Sequence, residues 1–418
     1  MCFWTYLLGN TPRRVRQKTT LCVNPQSTTI PASIERRPTS VKTTPAYPSS
    51  TLDARCDPTA PRLSYDGGGT LHVLAVLTAC ATFPLIFMGG LVTSHQAGMS
   101  VPDWPNSYGY NMFLFPPRLW VGGILYEHTH RLMGTVVGIL SIALVISAHL
   151  TKGAGRRERA LAWSVLAAVI FQGVLGGLRV VLVKLGLAVI HGCVAQAFFC
   201  LAALMTMVTS HWWHHPPKPA LAPDQGRRLV KLGLATVSVI YLQLIVGASM
   251  RHLQAGLAIP DLPLAYGKVL PPTNAQQLDA VNWLRTRQLN LDPVNLEQIW
   301  LHFAHRMGAI LVSVMVLTLA GVVLGRYRMH PRLSRPAMLL IVLLAGQLTL
   351  GVLTVLLRKP ADVASAHVAV GALVLVTSFV LTCRAARIYG LRKPEEREKV
   401  VVAPPASPRF AAVAHRAG

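Results

Sequence analysis

The chain has 418 residues, 52% of them hydrophobic and 13% charged, with a mean hydropathy of +0.44. That is too apolar for an ordinary soluble domain and points to a polytopic membrane protein. The net charge of +24 would suit a nucleic-acid binder, but its distribution along the chain reads as membrane topology, with no nucleic acid as partner.

Residues 1–68 are rich in Ser, Thr, Pro and Arg and hold no long apolar run, so they read as a disordered basic tail. They lack the apolar core of a secretory signal. Frequent Pro and the presence of acids speak against a mitochondrial presequence. A solvated tail, or a start codon placed too far upstream, fits better.

Eight runs reach the roughly 20 apolar residues that a span needs: 71–93, 124–149, 160–180, 185–209, 229–250, 298–324, 336–357 and 363–385. All read as helices, because a lipid-exposed backbone must satisfy its own hydrogen bonds. Lys152, Arg156, Arg157 and Arg159 follow the second span. Lys218, Arg227 and Arg228 follow the fourth, and Arg326, Arg328, Arg332 and Arg335 the sixth. Both tails are basic, while loops 94–123 and 251–297 are near neutral. Positive segments stay inside, which puts both termini inside and these two long loops outside. The HWWHH cluster at 211–215 falls at the inner rim, where Trp and His are commonly interfacial.

The spans fall into two sets. The outer loops contain QAGMSVPDWPNSYG (96–109) and QAGLAIPDLPLAYG (254–267), identical at eight of fourteen positions. EHTHRLMG from Glu127 matches HFAHRMGA from His302, which pairs His130 with His305 and Arg131 with Arg306 at an offset of 175. QGVLGGL from Gln172 matches QLTLGVL from Gln347, and VIHGCVA around His191 matches SAHVAVG around His367. The expected fold is therefore all-α: eight transmembrane helices in two tandem four-helix bundles, with pseudo-two-fold symmetry about the membrane normal. The expected boundaries are a first unit at 69–210, a cytoplasmic linker at 211–228, a second unit at 229–385 and a disordered C-terminal tail at 386–418.

His130, His191, His305 and His367 each lie a few residues into a span that enters from outside, roughly 6–11 Å below the outer rim at 1.5 Å per residue. One intramembrane histidine can be a packing residue. Four at one depth, in a repeated pattern, are placed for ligands. Two facing imidazoles suit an iron porphyrin, whereas zinc wants three or four protein ligands. Gly134, Gly138, Gly173, Gly176 and Gly177 leave room for a flat macrocycle, although Gly is also common in ordinary membrane helix packing. Arg131 and Arg306 suit the porphyrin propionates, with snorkelling or a structural ion pair as the alternative. Glu127 precedes His130 by three residues, and its counterpart is His302. A carboxylate in one unit only suggests a reactive site there and a structural or electron-transfer site in the second. The alternative for Glu127 is a water-exposed rim carboxylate.

Together, AGMSVPDWP, EHTHR, the Gln-Gly-x-Leu-Gly run and the histidine of the fourth span, with the set repeated, resemble the heme A synthase family over residues 71–385. The resemblance implies an enzyme that oxidises the C8 methyl of haem O to a formyl group, giving haem A for terminal oxidases. It implies that His130 and His191 flank the iron of the substrate haem O, that His305 and His367 ligate the iron of a haem B cofactor, and that Glu127 stands at the reacting edge. On that basis an oxidant withdraws electrons from the methyl group, Glu127 stabilises developing positive charge or takes the proton, water adds, and a second round gives the aldehyde. Supply by a haem O synthase and delivery to terminal oxidase assembly are implied as well. Membrane lipid is the other expected partner, and a homo-oligomer stays open.

One departure stands out. Many family members carry a Cys pair in the first outer loop, where this chain has Val101 and Ser107, and neither outer loop holds a cysteine. A loop disulfide is excluded. The repeated Pro-rich loops are expected to be lids over their own pockets, Trp104 of the first being replaced by Leu262 in the second; plain structural turns are the alternative. Two other functions stay open, a bis-histidine dihaem cytochrome and a haem transporter. The Ala/Leu/Val/Arg-rich style favours a bacterial inner membrane over the mitochondrial inner membrane.

Overall fold

The computed structural model describes residues 69–216 and 223–390. The expected tail at 1–68, Lys218, the cysteines Cys2, Cys22 and Cys56, and the C-terminal tail beyond Gly390 lie outside the described residues.

Among the described residues eight helices are long and apolar enough to cross a membrane: α1 Thr70–Ser94, α2 Gly123–Leu150, α3 Arg156–Leu182, α4 Leu185–Val208, α5 Pro223–His252, α6 Leu296–Arg326, α7 Pro331–Leu356 and α8 Ala361–Tyr389. The protein is an all-α integral membrane protein. Each helix contains one expected apolar run, with a residue or so of slack at its ends, but the ends follow local chemistry rather than hydropathy. α5 starts at Pro223, inside the segment expected as linker, and takes in Arg227 and Arg228. α8 runs to Tyr389, so residues 386–389, expected as disordered tail, are helical; Ala386, Ile388 and Tyr389 are buried there. α6 starts at a capping box in which Asn295 and Gln298 satisfy each other's backbone N–H groups. α3 ends where Val183 turns left-handed (φ 51°), rare for a β-branched residue, which lets α4 follow almost at once.

Within α2, the exposed Val136, Ile139, Ile142 and Ile146 recur every three to four residues, while Val137, Ser141, Leu144, Val145 and Ala148 are buried. This is a lipid-facing stripe opposite a packed face. Many hydroxyls inside the helices bond back to their own backbone, as Thr82 to Thr78 O (2.7 Å) and Ser141 to Val137 O (2.8 Å), which satisfies these groups in apolar surroundings. Pro336 in α7 lacks the N–H that would bond Arg332 O, and Arg384 Nη1 of α8 donates to that carbonyl instead (3.1 Å).

Helices α1–α2, α2–α3, α3–α4 and α4–α1 pack side by side, as do α5–α6, α6–α7, α7–α8 and α8–α5. Between these rings α8 packs on α1 and α4, and α4 on α5. α8 is the interior element: 61% of its apolar stretch is buried, against 17–33% in the other seven. The longer second outer loop has a small core of its own. A helix over Ala275–Arg287, unforeseen from the sequence, buries Val281 against Ala255, Ala258, Ile259 and Ile299.

Candidate functional site

The four histidines come together as two pairs. His130 of α2 faces His191 of α4 with ring centroids 6.5 Å apart and planes at 79°. His305 of α6 faces His367 of α8 at 6.4 Å and 68°. A metal held between two imidazoles by bonds of about 2.0–2.1 Å places the ring centroids roughly 6 Å apart, so each gap fits one iron. Among the described residues no three His, Cys, Asp or Glu side chains converge to hold a bare metal ion. A porphyrin iron, which asks the protein for two axial nitrogens only, suits these pairs. The two pairs differ at Nδ1: those of His130 and His191 are buried without a side-chain partner, whereas His305 Nδ1 lies 3.0 Å from Gln243 Nε2 and His367 Nδ1 3.2 Å from Gln347 O.

Each ring rests on a glycine of a neighbouring helix. A Cβ at Gly89 would lie 3.1 Å from Cε1 of His130, and one at Gly176 3.3 Å from that of His191. At Gly247 and Gly351 the distances to His305 and His367 would be 3.0 and 3.1 Å. Glutamines contact two of the rings and the backbone of a third histidine. Gln243 Nε2 lies 3.0 Å from His305 Nδ1 and Gln347 Nε2 3.3 Å from His367 Nε2, while Gln172 Nε2 donates to the backbone O of His191 (3.1 Å). Among the glycines expected to line the pocket, Gly134, Gly138 and Gly173 face open space, and Gly177 lies under the Trp104 indole.

The outer loops repeat one design over these pairs. Asp103 accepts from the N–H groups of Tyr108 and Gly109, both at 2.8 Å, and Asp261 from those of Tyr266 and Gly267 at 2.8 and 2.9 Å. The Tyr108 hydroxyl donates to Ser100 O (2.6 Å) and that of Tyr266 to Ala258 O. Gly109 and Gly267 sit at φ 77° and 74°, where a side chain is strained. Trp104–Pro105 and Leu262–Pro263 are both cis. Burial alone would raise the pKa of Asp103, but the Gly109 and Tyr108 N–H donors and the charge of Arg131 outweigh it and hold the carboxyl below its usual range.

The helix turn that carries the first histidine of each unit grips its loop. Arg131 donates to the carbonyls of Val101 (2.7 Å), Asp103 (2.7 Å) and Asn106 (2.9 Å), and to Glu127 Oε1 (3.0 Å). Arg306 donates to the carbonyls of Ile259 (2.8 Å), Asp261 (2.8 Å) and Leu264 (3.0 Å). The donors expected to meet porphyrin carboxylates are thus engaged by the loops. Glu127 is only 4% exposed, which removes the water-exposed alternative, and its Oε2 accepts the Val101 N–H at 2.9 Å. Val101 and Ser107, at the places of the missing cysteines, are both fully buried. Ser107 Oγ lies 3.2 Å from Nδ1 of His128, whose ring also meets Phe115 and Trp120.

Sequence reasoning missed His128 and the glycine seats Gly89, Gly247 and Gly351. The seats could have been found: Gly89 and Gly247 share the 158-residue offset of Pro102 and Pro260. His128 has no counterpart among the matched residues, and nothing in the spacing marks it.

Eight spanning helices with two opposed histidine pairs under two clamped loops define a polytopic membrane protein with twin paired-histidine sites. A family of cytochrome oxidase assembly proteins, COX15-CtaA, matches residues 122–379. The chain is 25% identical to the heme A synthase of Shewanella oneidensis, over 72% of this chain and 92% of that protein. It is 25% identical to that of Halalkalibacterium halodurans, over 78% and 98% respectively, and 27% identical to that of Rickettsia bellii, over 70% and 91%. The chain belongs to the COX15-CtaA family of cytochrome oxidase assembly proteins.

Proposed function

We propose that this protein is a heme A synthase, an oxidoreductase that converts the C8 methyl of haem O to a formyl group and so serves cytochrome oxidase assembly. The observation that carries this reading is the pair of equivalent histidine sites with a buried carboxylate, Glu127, beside only the first. The full conversion takes up the oxygen of one water and releases four protons and four electrons to an acceptor outside the chain.

In this reading His130 and His191 hold substrate haem O, and His305 and His367 hold haem B. Haem B when bound supplies a redox centre. The histidine pairs fix the plane of each ring, and their glycine seats keep the imidazoles upright. Glu127, held by Val101 N–H and Arg131, stands as a fixed anion near the first pair. It favours positive charge developing on the methyl edge and, as a buried carboxylate three residues before His130, is available to receive its proton. Arg131 and Arg306 keep the loops closed over the sites, which excludes water. The two four-helix units relate by a pseudo-two-fold axis along the membrane normal, both termini face inside, and the membrane is that of a bacterial cell. Haem O comes from a haem O synthase.

The near-equal ring spacing of 6.5 and 6.4 Å favours one second reading, an electron-transfer cytochrome with two alike haems. Mass spectrometry of haems extracted from a host that makes haem O but no haem A, expressing this protein, separates the two. A species at the mass of haem A or its alcohol precursor supports the synthase. Haems B and O alone, in a haem-loaded protein, overturn it.

A further inference from the structure

The outer loops open on the same Gln-Ala-Gly, with Gly98 in the first and Gly256 in the second. In both, a basic side chain from the same unit packs against the loop glycine, and the Lys359 ammonium donates to Gln254 Oε1 (3.2 Å). A Cβ at Gly98 would overlap the Arg179 guanidinium, and one at Gly256 would lie 3.3 Å from Cδ of Lys359. The two cations arrive by different routes. Arg179 comes from the last turn of α3. Lys359 comes from the link between α7 and α8, where Arg358 and Lys359 are left-handed at φ 57° and 64°. By the 175-residue offset of Gln172 and Gln347, Arg179 aligns with Thr354, and by the 176-residue offset of His191 and His367, Lys359 aligns with Val183. Each unit therefore sets a cation over its loop glycine from a position its partner unit does not use, which inheritance from one duplicated ancestor does not explain.

A third cation links the units. Arg251, near the end of α5, donates to Gly90 O (2.5 Å) and Ser94 Oγ of α1. Arg179 acts electrostatically on His130, His191 and His252, and Arg251 acts on His252, Lys359 and His367. Among the described residues none of Arg179, Arg251 and Lys359 forms a salt bridge. Glu127 is near enough to act on Arg179 but is itself paired with Arg131. A row of cations without acids at the rim of an apolar bundle calls for an anionic ligand. A haem is apolar around its perimeter except at one edge, which carries two carboxylates.

We infer that Arg179 in the first unit and Lys359 in the second anchor the propionate edges of the two haems at the outer rim, with Arg251 between them. This rests on the haem-binding reading proposed above. It adds a positioning role. On haem O the C8 and C5 methyls each share a pyrrole ring with a propionate, so a propionate held at Arg179 turns that edge, rather than the far one, toward Glu127. Arg179 thereby narrows the oxidised methyl to those beside the propionates.

The test is a Soret titration of the haem-depleted full-length protein in detergent, with iron protoporphyrin IX and with its dimethyl ester. His367→Ala is included so that the first site is read alone. The acid should bind roughly ten- to hundred-fold tighter than the diester. Arg179→Gln should bring that ratio close to one, and Arg179→Lys should restore most of it. In the converse background, His191→Ala with Lys359→Gln should behave likewise for the second site. An unchanged ratio in Arg179→Gln overturns the assignment. So does loss of all binding in both Arg179 variants, which marks a structural residue. Equal binding of acid and diester by the parent protein sinks the anchor alone, whereas binding of neither porphyrin sinks the haem reading with it.

Discussion

Glu127 and His302 occupy equivalent turns and hold the same backbone group. Glu127 Oε2 accepts the N–H of Val101 at 2.9 Å, and His302 Nδ1 accepts that of Ile259 at 3.2 Å. Both side chains are nearly fully buried. Anchoring a loop therefore does not require a carboxylate, and what distinguishes Glu127 is its charge. Glu127→His transplants the second unit's solution into the first. The expected outcome is normal haem content and no haem A, read by mass spectrometry of extracted haems. Haem A formed at the normal rate would make Glu127 a loop anchor and nothing more.

The glycine seats leave little room. A methyl at Gly247 or Gly351 would press on the His305 or His367 ring at 3.0–3.1 Å, and overpacking of this kind costs about 1–3 kcal/mol. Gly351→Ala and Gly247→Ala should each lower haem B recovered with the purified protein, with little effect on a haem held at the first pair. Full haem B occupancy in both variants would contradict the ligand assignment of His305 and His367.

Arg131 ties three loop carbonyls and Glu127 to one helical turn. Charge-assisted hydrogen bonds of this kind contribute about 1.5–3 kcal/mol each when a partner is lost. Arg131→Ala should open the 95–122 loop to external protease, and Arg131→Lys should rescue it poorly, because an ammonium lacks the planar fork that reaches several carbonyls at once. Protease resistance equal to wild type in the alanine variant would refute the clamp.

Asp103 predicts a pH dependence. Its folded pKa is lowered, so its contribution to stability is present above the unfolded value of about 3.9 and is lost as pH falls through the lower folded value. Melting temperatures of wild type and Asp103→Asn should differ at neutral pH and converge on acidification below about pH 4. A gap that stays constant down to pH 2 would show that the carboxylate charge is not what holds the Tyr108–Gly109 turn.

The eight helices were legible because about 20 apolar residues in a row have few other fates. Their ends were less so. Pro223 begins α5 and Tyr389 closes α8, in segments whose composition reads as linker and tail, because helix continuation there depends on packing: Tyr389 lies against Gly226 and Tyr327. The four histidines were legible through the repeat, as was the asymmetry of Glu127 and His302. The employment of Arg131 was not. Sequence spacing puts a guanidinium next to a histidine but does not say whether a ligand or a folded-back loop reaches it first.

By itself, then, the sequence determined the membrane class, the number of spans, the duplication and the identity of the four imidazoles, since each follows from composition or from periodicity along the chain. Family resemblance, not spacing, paired His130 with His191 in advance. Tertiary structure alone decided that four glycines seat the rings and that Arg179 and Lys359 converge on equivalent loop glycines from unrelated positions. Those relations join residues tens to more than a hundred positions apart. They depend on how helices pack across a bundle and how a loop folds back over it, and neither leaves a local pattern in the chain.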